Sequence, residues 1–481
     1  MSLALHQLLD EQPGHLPDIR PRQLSEDSRR IEPGDLFLAV QGQSGDGHEF
    51  AAAAAQRGAV AVLAERQIPG LSVPVVVVPD LRSRRGSLAA RFYGNPSEDL
   101  YCVGVTGTNG KTSIAHYLAD LACRTGRPAG YMGTIGWGRP GALQPARLTT
   151  EDPVTVQRNL AALRDQGLQW AVLEVSSHAL AQGRVDAVRF DAAVFSNLSR
   201  DHLDYHDSAE NYGKAKARLF HWPGLKSAVI NVDDDFGRAL CADLSPSVTL
   251  LRYGLGGPDV GWTELQFSAA GVSGTWRTRW GDHPMSMPLH AEFSVANVAA
   301  VLGVLCHAGV SLATFANAAK TLGAVPGRME YYRAPGKPHV VVDFAHTPDA
   351  LDKVLSALRA ESMGRLICVF GCGGDRDPGK RPLMAQAAER HADVLWLTSD
   401  NPRSEAPDRI ITDMVAGLSG CARVHQCADR AEAITRAIRD AVAGDTVVVA
   451  GKGHEDYQEI SGKRVPFSDR SLVAELLGGS A

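Results

Sequence analysis

The amino-acid sequence predicts an α/β protein of three domains, and three observations lead there. Short β-branched runs alternate with Ala/Leu-rich helical stretches over nearly the whole chain. Those runs are continuous in apolar residues rather than alternating, as parallel strands covered on both faces require. The length, 481 residues, corresponds to roughly three domains at about 150 residues each. Taken in order, strands are expected at 36–40, 59–63 and 73–78, then at 101–105, 170–175, 192–195 and 228–232, and finally at 340–344, 366–370, 394–398 and 446–450. Tyr93-Gly-Asn-Pro-Ser97 and Gly323-Ala-Val-Pro-Gly327 punctuate the chain where turns belong. They divide it into 1–98, 99–327 and 328–481. Residues 245–289, rich in Gly, Trp and Thr, read as an antiparallel excursion of the middle domain.

Composition narrows the class. Apolar residues make up 44% and charged residues 21%, which excludes a disordered chain, a coiled coil and a collagen-like repeat. The net charge is 49 − 54 = −5 with no long basic block, so nucleic acid is not expected as a partner. Apolar stretches such as 51–55 and 75–78 fall far short of the ~20 residues that span a bilayer. Polar residues arrive too early at the N-terminus for a signal-peptide core. The eight cysteines lack paired zinc-ribbon spacing, and reduced thiols are expected. A soluble cytoplasmic protein, expected to be a monomer without membrane insertion, fits these features.

The strongest local signal is Gly104-Val-Thr-Gly107-Thr108-Asn109-Gly110-Lys111-Thr112-Ser113. A buried strand ends at Val105 and a helical pattern opens at Lys111. Glycines let successive N–H groups turn inward on phosphate oxygens. The helix N-terminus adds its dipole, Lys111 a mobile charge and Thr112 a hydroxyl for Mg²⁺. Gly104 lies six residues before Gly110, one more than the strict phosphate-loop pattern. Kinase, GTPase, ATPase and ligase all remain open on this loop.

The run 106–112 resembles the ATP loop of the Mur ligase family, which assembles cell-wall peptide precursors and includes folylpolyglutamate synthases. Further motifs follow in family order, from Asp27-Ser28-Arg29 to Gly451-Lys-Gly-His-Glu455. The resemblance implies a small N-terminal α/β domain that binds UDP, a central ATPase-like parallel sheet and a Rossmann-like C-terminal domain that binds an amino acid. It implies that Ser28, Gln43, Ser44 and Gly45, in polar loops that alone read as surface turns, hold a UDP-sugar. Thr149 and Thr150, in a stretch that reads equally well as a helix cap with Asp152 before Pro153, would contact the same substrate, as would Ser176, Gln182 and Arg184. Arg184 suits a carboxylate or a pyrophosphate.

Glu174, closing the apolar run 170–173 opposite the phosphate loop, stands where an α/β sheet places a metal ligand. The resemblance makes it a Mg²⁺ ligand. In Asn197-Leu-Ser-Arg-Asp201-His202-Leu-Asp204-Tyr-His206, spacing alone suggests zinc, whereas the resemblance implies that His202 serves Mg²⁺. Lys216, in Gly213-Lys-Ala-Lys216-Ala-Arg, matches the family lysine that reacts with CO2. Carbamylation needs a neutral amine and yields an anionic ligand for a second Mg²⁺. Asn297 and Arg328 match nucleotide-contacting positions, although an Ala-rich helix around Asn297 would also pack without that role. Asp343 and His346 match residues that close over ATP.

Asp400-Asn401-Pro402-Arg403 follows a strand where a doubly wound sheet binds its ligand. Alone it reads as a loop turn. In the family it accompanies addition of meso-diaminopimelate, whose distal carboxylate a fixed guanidinium would recognise in preference to lysine. Arg376, Gly451 and Glu455 would complete that pocket. The expected reaction joins meso-diaminopimelate to UDP-MurNAc-L-Ala-D-Glu through an acyl phosphate at the expense of ATP. Catalysis would rest on Lys111, Glu174, His202 and Lys216, with Thr112, Glu174, His202 and carbamylated Lys216 around two Mg²⁺ ions. Three rivals stand beside it: a sister ligase adding another amino acid or dipeptide, a nucleotide-dependent switch turning over ATP without an amine acceptor, and a kinase-like phosphotransferase leaving a stable phosphorylated product.

Overall fold

A computed structural model describes residues 3–11, 16–42, 45–268 and 270–478. Along the chain it contains three sheets with parallel cores and a separate two-stranded hairpin. The first has four strands, Leu24–Ser25, Leu36–Ala39, Ala61–Ala64 and Val75–Val77, all parallel. The strands at 36–40, 59–63 and 73–78 are thus present with ends shifted by one to two residues, and the two-residue strand at Leu24 is additional.

The central sheet has eleven strands. Its parallel core runs Thr249–Tyr253, Ser227–Asn231, Ala192–Phe195, Tyr101–Thr106, Trp170–Glu174, Ala129–Gly133. Consecutive side chains feed opposite faces. Val103 and Val105 join one core with Ile114, Leu118 and Val298, while Cys102 and Leu173 join another with Phe190 and Leu219. Two buried faces explain why these strands read as unbroken apolar runs. The excursion at 245–289 is antiparallel as expected from Val260 onward. Val260–Ser268, Gly271–Thr278 and Gly281–Met287 extend the same sheet. A second antiparallel meander, Gly136–Arg139 and Ala142–Gln144, closes the other edge. It escaped the sequence reading because Gly133 to Gly141 supply turns but few apolar residues.

The C-terminal sheet runs Glu330–Tyr332, His339–Asp343, Thr446–Ala450, Leu366–Phe370, Val394–Leu397, Arg423–Gln426. All strands after the first are parallel to one another. The hairpin Tyr457–Ile460 with Lys463–Pro466 follows it. The edge strand at Arg423 was not expected, since only one of its four residues is apolar. Inside this domain Arg430 and Asp469, both fully buried, bond each other through two hydrogen bonds of 2.8 Å. No helix among the described residues is long and apolar enough to cross a membrane.

Candidate active site

The strand Tyr101–Thr106 lies at the topological switch of the central sheet. The chain passes from its neighbour Trp170–Glu174 on one side to Ala192–Phe195 on the other, and a crevice opens at such a point. The phosphate loop leaves this strand and enters the helix Lys111–Arg124. Ser196 and Asn197, just past the neighbouring strand, fix the loop from one side. Ser196 Oγ donates to the Asn109 carbonyl at 2.5 Å, and the Asn109 N–H donates to Asn197 Oδ1 at 3.0 Å. A Cβ on Gly107 would fall 1.9 Å from Ser196 Oγ, and one on Gly110 2.7 Å from Asn297 Oδ1. Both glycines have positive φ, 144° and 87°, so no side chain fits at either position. Lys111 Nζ folds back on the Gly107 and Thr108 carbonyls, at 2.9 and 2.8 Å. Burial draws its pKa below the ordinary lysine range against the pull of Glu174 and Asp201.

Glu174 ends its strand at the other side of the loop, 1% exposed. Four donors converge on its carboxylate: Tyr131 Oη at 2.5 Å, the Thr134 N–H at 2.9 Å, Thr134 Oγ1 at 3.2 Å and Thr112 Oγ1 at 2.9 Å. Tyr131 and Thr134 belong to the unforeseen meander and its approach, so the sequence reading missed both. A hard carboxylate and a hydroxyl side by side at a phosphate loop are the oxygen donors that Mg²⁺ takes along with nucleotide phosphates. Among the described residues no three His, Cys, Asp or Glu side chains form a metal cage. The donor set therefore fits an ion held partly by its nucleotide.

Lys216 is 1% exposed. Its Nζ donates to the Gly107 carbonyl at 2.7 Å and stands 4.4 Å from the Tyr212 ring centroid. Burial, with Lys111 adding repulsion, pushes its pKa far below the lysine range. Tyr212 Oη in turn meets Thr108 Oγ1 at 3.1 Å. His202 has φ +53°. Its Nε2 lies 3.3 Å from Asp201 Oδ2, and its ring 4.8 Å from that of His178. Burial keeps His202 neutral at physiological pH. Asp201 also faces His346 of the C-terminal domain at 3.9 Å.

One cavity of about 1020 Å³ joins the phosphate loop, Glu174, Asp201 and His202, while Lys216 lies behind its lining. The phosphate loop from Thr108 to Ser113, Thr149, Thr150, Glu174, Ser176, Arg184, His202 and Asn297 line it from the central domain. Arg328, Asp343, His346 and Arg376 line it from beyond residue 327. Arg328 Nη2 reaches Thr112 Oγ1 at 3.3 Å, and its guanidinium lies 4.1 Å from the Phe344 ring. Asp343 accepts from the Met329 and Ala345 N–H groups, each at 2.7 Å.

Several expected substrate contacts are already engaged within the protein. Arg184 bonds Gln182 Oε1 through Nε and Nη2, at 2.8 and 2.6 Å, and the Thr150 carbonyl through Nη1 at 2.7 Å. Thr150 Oγ1 donates to the Glu174 carbonyl at 2.8 Å, and Ser176 Oγ caps the following helix at Ala179 N. The helix cap weighed beside the ligand role is present, with the Asp152 carboxylate accepting from Thr155 N at 2.9 Å. In the first domain, Ser28 opens a short 3-10 turn capped by Asp27. Asp27 Oδ2 pairs with Arg147 of the central domain at 2.7 Å. Gly45 follows in a bend, while Gln43 and Ser44 lie outside the described residues.

The three remaining motifs, around Arg376, Asp400–Arg403 and Gly451–Glu455, follow the C-terminal ends of three parallel strands of the last sheet. Asp400, Asn401, Pro402 and Arg403 form one loop. A Cβ on Gly374 would fall 2.0 Å from the Pro402 carbonyl, and one on Gly451 2.6 Å from Asp400 Oδ2, so three loops interlock here. Arg403, φ +52°, donates from Nη1 to the Gly374 carbonyl at 2.7 Å and from Nε to Glu459 at 3.2 Å. Glu455, expected to complete the diaminopimelate pocket, already accepts from Lys452 Nζ at 2.6 Å and Asn401 Nδ2 at 2.9 Å. The fully buried Lys452 was not anticipated. Arg376 faces the nucleotide cavity, 3.9 Å from Asp204 of the central domain.

The chain matches known proteins along its length. Residues 22–93 match the Mur ligase family catalytic domain, 105–305 the Mur ligase middle domain, and 327–453 the Mur ligase glutamate ligase domain. A UDP-N-acetylmuramoyl-L-alanyl-D-glutamate--2,6-diaminopimelate ligase from Chromobacterium violaceum is 50% identical, covering 95% of this chain and 94% of its own. One of the same name from Ectopseudomonas mendocina is 48% identical, covering 99% and 98%. A solved structure bearing that name is 39% identical, covers 99% of both chains and superposes with a TM-score of 0.69. MurF from Acinetobacter baumannii, 20% identical over 96% of this chain and 95% of its own, shares the fold at a TM-score of 0.72. With a phosphate loop and a four-donor carboxylate facing one cavity, and three matching segments in order, the chain belongs to the Mur ligase family.

Proposed function

We propose that this ATP-dependent, amide-forming ligase adds meso-2,6-diaminopimelate to UDP-MurNAc-L-Ala-D-Glu in the synthesis of peptidoglycan precursors. The observation that carries the reading is the Asp400–Arg403 loop, interlocked with Gly374 and Gly451 at strand ends, with Arg376, two residues on from Gly374, lining the nucleotide cavity. The names of relatives at 48–50% identity support it.

In the first step a γ-carboxylate oxygen of D-glutamate attacks the γ-phosphorus of ATP. A P–O bond forms, the bond to ADP breaks, and an acyl phosphate results. In the second, the amine attacks that carbonyl, C–N forms, a proton is lost and phosphate leaves. Lys111, freed from the Gly107 and Thr108 carbonyls, neutralises charge on the transferring phosphoryl group. Thr112 and Glu174 would hold one Mg²⁺, and His202 with carbamylated Lys216 a second. Bound Mg²⁺ supplies Lewis-acid neutralisation of the phosphate oxygens. The buried, neutral Lys216 amine can add to CO2, forming N–C and releasing one proton. Arg328, His346 and Arg376, reaching in from beyond residue 327, exclude water from an acyl phosphate that would otherwise hydrolyse. Arg184 and Gln182, with Thr149, Thr150 and Ser176, orient the dipeptide end, while Ser28, Gln43, Ser44 and Gly45 hold the uridine end. Asn297 and Asp343 flank the nucleotide, and Arg376, Asp400, Asn401, Arg403, Gly451 and Glu455 receive the diamino diacid. The enzyme acts as a cytoplasmic monomer, and eight free cysteines accord with a reducing compartment.

The test is incubation with UDP-MurNAc-L-Ala-D-Glu, ATP, Mg²⁺ and either diaminopimelate or lysine, with products weighed by mass spectrometry. Only the diaminopimelate amide should form. Arg403→Ala should raise KM for diaminopimelate by about 10- to 100-fold, the worth of a charged hydrogen bond of about 1.5–3 kcal/mol. Equal use of lysine by the wild type would overturn the assignment.

A further inference from the structure

Lys452 stands between Gly451 and Gly453 in the loop after Thr446–Ala450, and the reaction described above gives it no task. Its side chain is fully buried. Both flanking glycines have positive φ, 117° and 52°, and the main chain around them is fixed. The Gly451 N–H donates to the Asp343 carbonyl at 3.1 Å, and a Cβ on Gly453 would fall 2.7 Å from the Gly327 carbonyl. The turn sends Lys452 inward, onto the Asp400–Arg403 loop. A buried ion pair is a weak source of stability, and an apolar side chain of similar length would pack there without the desolvation cost. Packing is therefore a poor reason for lysine at this position.

Its partners supply a better one. Nζ donates to Glu455 Oε2 at 2.6 Å and to Asn401 Oδ1 at 3.1 Å, and Asn401 Nδ2 closes the triangle on Glu455 Oε2 at 2.9 Å. Asn401 Oδ1 also accepts from the Glu459 N–H at 2.9 Å. Glu459 in turn holds Arg403, accepting from its N–H at 2.9 Å and from its Nε at 3.2 Å. With two donors on Oδ1, the Asn401 amide has one orientation. A flip would set its N–H groups against an ammonium and a main-chain N–H, and its oxygen against a carboxylate. Two groups are left over in that orientation. The second hydrogen of Asn401 Nδ2 has no acceptor among the described residues, and Glu455 Oε1 has no donor among them. An amide donor beside a carboxylate oxygen matches an α-amino acid centre, whose carboxylate meets the first and whose ammonium meets the second.

We propose that Lys452 is a positioning residue for the amine acceptor. It fixes the Asn401 amide and anchors one oxygen of Glu455, so that the second amide hydrogen and the other oxygen receive a carboxylate and an ammonium borne by one carbon. A ligand without that carboxylate, such as lysine at its far end, leaves the amide hydrogen unpaired. The inference rests on the reaction proposed above and adds to it the residue that sets the polarity of the acceptor pocket.

Steady-state kinetics, a double-mutant cycle and a crystal structure, all on the full-length enzyme, test it. Lys452→Met should raise KM for diaminopimelate by about 10- to 100-fold, the loss a charged hydrogen bond carries, while KM for ATP and for UDP-MurNAc-L-Ala-D-Glu stays within about twofold. In a Glu455→Gln background the same substitution should cost less than about threefold, since residues acting as one unit are not additive. In the crystal structure of the Lys452→Met protein, Glu455 should leave Asn401 while the main chain of the loop stays in place. Lys452→Gln, which keeps one polar contact, carries the same measurements if the methionine variant does not fold. An unchanged KM for diaminopimelate, an equal rise for all three substrates, full additivity with Glu455→Gln, or Glu455 still bonded to Asn401 in the variant would each overturn the proposal. A wild type that forms no diaminopimelate amide would instead overturn the reaction assignment, and the variant crystal structure would then decide the role of Lys452 by itself.

Discussion

Lys216 illustrates how one side chain's chemistry depends on its surroundings. A solvated lysine is charged and unreactive towards CO2, but this one is enclosed beside Lys111, and both effects favour the neutral amine. Lys216→Ala should cut amide formation by about 10²–10³-fold, the scale of losing a preorganised charge-stabilising group. Added short carboxylates should restore part of it by supplying the missing anion. A fully active variant in the phosphate-release assay would contradict the metal-ligand role. Glu26 offers a pH test at the junction of the first two domains. Burial and Asp152 raise its pKa to about 8, against the pull of Arg85 at 3.0 Å, and its Oε1 has no partner. A folded value above the unfolded one means that the native state binds the proton more tightly. The associated stability is full below about pH 4.5 and is lost as pH rises through 8. Glu26→Gln keeps a polar amide against Arg85 but cannot titrate. Its melting temperature should therefore gain on wild type steadily from pH 5 to 8.5, and a pH-independent difference would show that Glu26 stays ionised.

At the scale of elements, the strand Ala129–Gly133 does what no motif announced. It places Tyr131 and the turn at Thr134 around Glu174, and Gly133 gives them room. A Cβ there would lie 2.2 Å from Glu174 Oε1 and 2.4 Å from Tyr131 Oη. Gly133→Ala must therefore displace the carboxylate. Since a misplacement of about 1 Å can cost about 10²-fold, kcat should drop by that order while circular dichroism stays unchanged. An unaltered kcat would mean that the placement of Glu174 by this strand is irrelevant to rate. The phosphate loop behaves in the same cooperative way, held by Ser196, Asn197 and Tyr212 from elements far away in sequence. Its glycines were readable from the sequence because they are local requirements of the turn, whereas its clamps were not.

Across the whole molecule, the C-terminal domain is docked onto the phosphate loop. Asn109 Nδ2 donates to Asp349 Oδ2 at 3.0 Å, Arg200 pairs with Asp377 at 3.2 Å, and Arg376 stands 3.9 Å from Asp204. These contacts are partly exposed, and each is worth about 0–1 kcal/mol, which suits domains that must part to admit substrates. Asp349→Ala with Asp377→Ala should enlarge the radius of gyration of the free enzyme in small-angle scattering and raise KM for ATP up to about fivefold. Addition of an ATP analogue with the UDP-substrate should restore compaction in both wild type and variant. Scattering curves identical for free wild type and free variant would show that these contacts do not hold the closed arrangement.

The sequence alone settled the α/β class, the three-part organisation and the strand-loop-helix at Lys111, because buried parallel strands and phosphate turns impose their residue choices within a few positions. It also singled out Glu174 by its place at a strand end, and His202, Lys216 and Arg403 through the family resemblance of their motifs. Tertiary structure decided what faces them: Tyr131 and Thr134 on Glu174, Lys452 on Glu455, Glu459 on Arg403, and the docking of Arg328 and His346 over a loop more than two hundred residues earlier. The reason is physical. Backbone conformation is governed by neighbours along the chain, whereas burial, pKa and hydrogen-bond partnership are governed by neighbours in space, and in this protein those come from strands and domains that only the completed fold brings together.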